Sequence, residues 1–159
     1  MNLPATKEGL RRAAQWRACR IEVRDGVVQR FRRPWFPANV SIGRVWWQSH
    51  RGRRSDKCCY LDVHEPWGLR GYLSLDYVHS GSEAGYQSLV AALRTLDQWA
   101  GQRQSLAIVA HISTARITDR FLRRMGWESH MNHWPGRHFI RRFYGGYPDW
   151  DLGKYGVSN

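Results

Sequence analysis

Lysine is almost absent from this strongly basic chain. Only Lys7, Lys57 and Lys154 are lysine among its 25 basic residues, and the rest are arginine. Acidic residues are also few: 13 Asp and Glu leave a formal charge of +12 over 159 residues. Cysteine occurs three times, at Cys19, Cys58 and Cys59. An odd count without paired spacing excludes a disulfide framework. Adjacent Cys58 and Cys59 on a strand face opposite sides, so they are expected to be small apolar packing residues and not a shared metal clip. No apolar run approaches the roughly 20 residues that a membrane helix needs. The first twenty residues hold no apolar core of signal-peptide length, so a soluble, cytoplasmic protein is expected. There is no P-loop, dinucleotide glycine motif or nucleophile elbow. Repeats, low-complexity tracts and interdomain linkers are absent too, and the length suits one domain over 1–159.

Aromatic residues and arginine are plentiful. Nine Trp, seven Tyr and five Phe supply apolar area for a core. Guanidinium forks fit phosphates and carboxylates bidentately and stack on rings. The charge favours anionic partners: nucleic acid, a nucleotide cofactor or an anionic surface.

The pattern from 1 to 20 predicts a basic N-terminal helix over Lys7–Arg20, with Leu10, Ala13, Ala14 and Ala18 on its apolar stripe. Strands and loops are expected over 21–70. Asp25-Gly26 between Ile21–Arg24 and Val27–Phe31 is a hairpin signal, because both turn positions favour positive φ. Pro34 and Pro37 break regular structure. Val40–Gln48 reads as a strand, and Ser49–Lys57 as a basic loop. Cys58–Val63 and Gly71–Val78 read as further strands. In the second, Tyr72, Ser74, Asp76 and Val78 share one face by simple alternation. Ser80-Gly81-Ser82-Glu83 is expected to start a helix whose stripe is Tyr86, Leu89, Val90, Leu93, Leu96 and Ala100, with Gly101 as its stop. Ser105–Ile112 is apolar enough for a central strand. Ser113 or Thr114 would cap the next helix, which buries Ile117, Phe121, Leu122 and Met125 and ends at Gly126 in the left-handed conformation. A last strand is expected over His138–Tyr144, then a loose tail from 148 to 159.

The order strand, helix, strand, helix, strand predicts an α/β (α+β) fold with a mixed, mainly antiparallel sheet flanked by helices. Residues 71–147, ending their second helix in Met125-Gly126-Trp127, resemble the core of the GCN5-related N-acetyltransferase (GNAT) family. That resemblance implies an acyl-CoA-dependent N-acyltransferase that takes acetyl-CoA or another acyl-CoA, with an amine as acceptor. It implies a first strand that splays from its neighbour and a phosphate-cradling loop after it. By this resemblance, Asp76 and His79 are the candidate bases. Tyr77, Val78, Gly81, Ser82, Gly85, Ser113 and Arg116 are the candidate cofactor contacts. The chain departs from the family at two places: the loop lacks the usual glycine spacing and carries Glu83, and Leu122 stands where a tyrosine acid is common.

A second reading comes from the alternation of Arg137, Phe139, Arg141, Arg142 and Phe143. Aromatics beside arginines on an exposed sheet face hold single-stranded RNA or DNA by stacking and phosphate contacts. His130, His133 and His138 lie near each other in sequence around Trp134. Apart from Glu128, they lack further ligands at zinc spacing, so no metal is expected.

Overall fold

The computed structural model describes residues 1–34, 57–81 and 83–159; the expected strand at Val40–Gln48 and most of the basic loop after it lie outside these. The described residues build one eight-stranded sheet with three α-helices, an α+β fold. In chain order the elements are β1 (Asn2–Pro4), α1 (Lys7–Ala13), β2 (Ala18–Arg24), β3 (Val27–Arg32), β4 (Cys58–His64), β5 (Tyr72–Ser80), α2 (Tyr86–Gln102), β6 (Ala107–Ile112), α3 (Asp119–Arg124), β7 (Glu128–Ser129) and β8 (Arg137–Arg142). Leu152–Tyr155 adds a 3-10 turn. The spatial order is β1-β3-β2-β4-β5-β6-β8-β7. Every neighbouring pair is antiparallel except β5 and β6, which α2 connects in parallel.

Alternating apolar residues place one face of the sheet against the helices. Ile21 and Val23, Leu61 and Val63, Leu73 and Leu75, and Ile108 are at most 5% exposed. They join Leu10 of α1, Leu93 and Trp99 of α2 and Leu122 of α3 in one core. At about 25 cal/mol per Å², burial of such side chains is the main favourable contribution to folding. The other face carries charged pairs beside a smaller apolar patch at Ala107 and Ile140. Arg20 grips Asp62 through two 2.6 Å bonds between register partners, and Arg30 meets Glu22 at 2.5 Å in the same way.

The hairpin at Asp25-Gly26 forms as the sequence indicates, with φ of +50° and +77°. Gly126 ends α3 at φ +84°, and a Cβ there would also run into the guanidinium of Arg141. Other expectations need correction. The N-terminal helix stops at Ala13 because Arg103 donates to the carbonyls of Ala14 (2.7 Å) and Trp16 (2.6 Å), and Ala18–Arg24 then enters the sheet. Helix α2 begins at Tyr86 with Gly85 as its cap, three residues after the expected start, and it runs through Gly101. Gly101 is the close-packing point for Tyr147, while Gln104 takes the left-handed turn at φ +55°. Thr118, not Ser113 or Thr114, caps α3 by accepting from Phe121 N at 3.2 Å. The tail is not loose: Leu152 and Val157 are buried, and Ser158 bridges Thr6 beside β1.

One charged cluster sits in the core. Asp97 of α2 is 3% exposed and accepts from Arg141 Nε (3.3 Å), Arg141 Nη2 (3.2 Å) and Trp150 Nε1 (3.1 Å). Burial pushes its carboxyl above the usual carboxylate range, although Arg141 and Trp150 pull the other way. Burial likewise raises the Cys19 thiol, and pushes the Cys59 thiol up to about 12.

Replacing Arg141 by Ala strands the carboxylate and is expected to cost about 3–5 kcal/mol. Because the folded pKa of Asp97 lies above the unfolded one, folding takes up a proton as pH falls, so this group adds stability on acidification towards the ordinary carboxylate range. Denaturant titrations should therefore show the deficit of R141A shrinking from pH 7 towards pH 5, and D97N should lose that dependence. A thiol-reagent titration of the native protein should label Cys58 alone, with Cys19 and Cys59 reacting only after unfolding.

Candidate functional site

The parallel pair is short. Tyr72–Leu75 lie beside Ala107–Ala110, and there the pairing ends, although β5 runs on to Ser80 and β6 to Ile112. Each strand stays tied to its outer neighbour, β5 to β4 as far as Ser80 and β6 to β8 as far as Ile112. The two inner edges thus part into a wedge. Under it lies an apolar cavity of about 10 Å³ lined by Leu75, Val78, Leu89, Leu93, Ile112 and Leu122, among others.

A bulge sits where the wedge begins. Tyr77 and Leu75 face the consecutive residues Asp62 and Val63 of β4, so Asp76 is the extra residue. A bulge re-aims side chains and increases local twist. Here it moves Val78 off the face that simple alternation assigned it, into register with Leu61 on the core side, where it lines the cavity. Asp76 turns to the polar face. Its Oδ1 accepts from Ser74 Oγ at 2.8 Å, and its Oδ2 meets Nδ1 of His64. His64 is placed by register opposite Ser74. A carboxylate only accepts, so Nδ1 of His64 is the donor to Asp76 and Nε2 is the ring's second nitrogen. The Ser74 hydroxyl is spent on Asp76, so it steadies the carboxylate and is not activated as a nucleophile.

Of the sequence-predicted residues, Asp76 and Val78 lie where the wedge opens, on opposite faces of β5. The backbones of Tyr77 and His79 lie in β5 opposite Asp62 and Tyr60; their side chains, and Ser82 altogether, lie outside the described residues. Gly81 is not the nest its glycine suggested, because its N–H donates to Cys58 O at 3.1 Å. Gly85 caps α2 without a side-chain bond, and a Cβ there would meet open space. Ser113 and Arg116 are exposed in the segment after β6. Arg137 fixes that segment by donating to Thr114 O (3.0 Å), Ile117 O (2.6 Å) and Asp119 Oδ1 (2.5 Å). Tyr86, expected in the buried stripe, is 56% exposed and meets the Phe121 ring edge-on at 5.1 Å, spanning α2 and α3.

The arginine and aromatic run on β8 does not make a stacking surface. Phe139 and Phe143 are 2% and 4% exposed. Arg137 is committed to Asp119, Arg141 to Asp97, and Arg142 to Glu128 at 2.6 Å. His138 instead stacks on His111 at 4.7 Å. Among the described residues, no three His, Cys, Asp or Glu side chains gather in a way that could hold a metal ion.

Sequence reading overlooked His64. The visible signal was its parity: it follows Asp62 on a strand that must pair antiparallel with the strand of Asp76. The bulge that brings the two together is not visible in the pattern.

The site belongs to a two-layer α+β protein with a split parallel pair and a His–Asp couple at the split. No family model, curated protein or solved structure matches the chain. Among the described residues, no helix is long and apolar enough to cross a membrane.

Removing the Arg137 clamp by Ala should loosen 113–119. Amide exchange at Thr114 to Ile117 is expected to speed up at least tenfold, with global stability lowered by about 1–3 kcal/mol.

Proposed function

We propose that the protein is a diverged, GNAT-like acyl-CoA-dependent N-acyltransferase. The parting of β5 from β6 at Asp76 carries this reading. It leaves the inner backbone edge of Asp76–Ser80 without a strand partner in β6, so an extended amide-bearing arm can bond there as a visiting strand does. Exposed Arg116, in the segment after β6, can meet the phosphates of such a donor. The side-chain-free start of α2 offers first-turn N–H groups and the positive end of the helix dipole.

The bound thioester supplies an activated carbonyl and a thiolate leaving group. His64 Nε2 receives the proton of the attacking amine, directly or through one water. Asp76 fixes the ring and stabilises the imidazolium that results. As the C–N bond forms and the C–S bond breaks, the departing sulfur needs a proton. Leu122 is buried and cannot give one, whereas the exposed Tyr86 phenol at the mouth between α2 and α3 is the nearest chemical equivalent of the family's tyrosine. His64 thereby takes the part that the sequence resemblance gave to Asp76 or His79, with Asp76 as its positioning residue.

Calorimetric titration with acetyl-CoA, CoA and ATP tests the donor site. Saturable binding of both CoA compounds, at least tenfold tighter than ATP, is expected. Equal weak binding of all three would leave only the attraction of a basic protein for anions and would end the proposal. With an acceptor in hand, H64A should lower kcat by about 10²–10⁴-fold while changing acetyl-CoA affinity less than threefold.

A further inference from the structure

The loop between β4 and β5 displays its apolar side chains to water. Trp67 is 74% exposed, Leu69 56% and Tyr72 41%, and Leu106 beside them is 54% exposed. This display is built. Glu65 N–H donates to Arg17 O at 2.8 Å, Tyr72 N–H to Leu69 O at 3.1 Å, and Leu106 N–H to Gly71 O at 2.7 Å. Gly68 and Gly71 turn the chain at φ +80° and +81°. Arg103 neutralises Glu65 and ties it to the carbonyls of Ala14 and Trp16. The result is an open cleft of about 820 Å³, lined by Arg17, Glu65, Trp67, Leu69, Arg70 and Tyr72 around Gly68. The Arg17 guanidinium lies 3.6 Å over the Trp67 ring, and exposed Arg70 has no ion-pair partner among the described residues.

We propose that this cleft is a binding site for single-stranded nucleic acid. The Trp67 face that Arg17 leaves open and the Tyr72 ring receive unpaired bases, and Arg70, with Arg17 beside Trp67, meets the phosphates. Charge complementarity selects this occupant: among the described residues the only carboxylate lining the cleft is already paired, Arg70 has no ion-pair partner, Arg17 spends its guanidinium on the neutral Glu65 carbonyl and the Trp67 ring and keeps its charge, and the whole chain carries +12. A base on an aromatic ring with arginine alongside is how non-specific single-strand binders hold their ligand. Duplex bases are stacked on each other and cannot enter in that way, and a bilayer does not enter a concave cleft. Tyr72 lies six residues before Val78 on one strand, about 20 Å away. The proposal therefore stands apart from the acyl-transfer wedge.

The test is fluorescence anisotropy of the full chain with a labelled 12-mer oligouridylate, the matching oligothymidylate, a duplex of the same length and anionic vesicles. Single strands should bind at least tenfold tighter than duplex at 150 mM salt. Trp67→Ala should weaken single-strand binding about tenfold or more. Arg70→Ala should weaken it more than Arg124→Ala, which removes the same charge from an exposed site on α3. Thermal melts of each variant should match the parent, since all three side chains are exposed. Equal binding of duplex and single strand, an unchanged affinity in W67A, or equal losses in R70A and R124A would overturn the assignment. So would vesicle binding that depends on Trp67 while oligonucleotide binding does not.

Discussion

A charge buried in an apolar core is tolerated only when the fold surrounds it with donors, and Asp97 is the charge on which this fold turns. Its carboxylate draws Arg141 of β8 inward and takes the Trp150 indole from the C-terminal segment. Arg141 in turn donates to Gly126 O at 3.1 Å, at the end of α3. One carboxylate thus gathers α2, α3, β8 and the segment after it. The wedge depends on this, because β6 can leave β5 only if β8 holds its other edge along its whole length. The pairing of Ile112 with Arg137, and of Arg137 with Asp119, completes that hold at the open end.

The bulge does the complementary work on the other strand. It keeps β5 bonded to β4 while changing which residues face the helices. One inserted residue sends Val78 to the cavity and leaves Asp76 beside His64. The His64–Asp76 pair therefore lies at the first position beyond the parallel pairing. The parting of β5 from β6 costs the sheet a few hydrogen bonds, and the burial around Leu61, Leu75 and Ile108 offsets the loss.

Local chemistry was legible in the sequence, and tertiary chemistry was not. Asp25-Gly26 and Gly126 announced themselves because positive φ restricts the residue choice. The apolar run before Ile112 announced a central strand because it has no polar side. The end of α1 was hidden because the group that stops it, Arg103, is 89 residues from Ala14. The start of α2 was hidden because serine and glutamate resemble a cap, whereas a glycine with no side-chain bond performs the role. Alternation on β8 marks a strand, but it does not show that Phe139 and Phe143 are buried in the core. A sequence shows an arginine's charge but not whether a distant carboxylate has already claimed it. His64 was missed for the same reason, since its partner is fixed by a bulge.

Among the described residues the two outermost strands are short: β1 has three residues, ending in Pro4, and β7 has two. Short rims and a residue without an N–H give another copy's strand almost no ladder on which to grow. Edge-to-edge polymerisation is therefore discouraged at both margins, even though the sheet is eight strands wide and rich in aromatic residues. Concentrated, partly heated protein should sooner coalesce through loosened core surfaces than lengthen into sheet-extended fibrils.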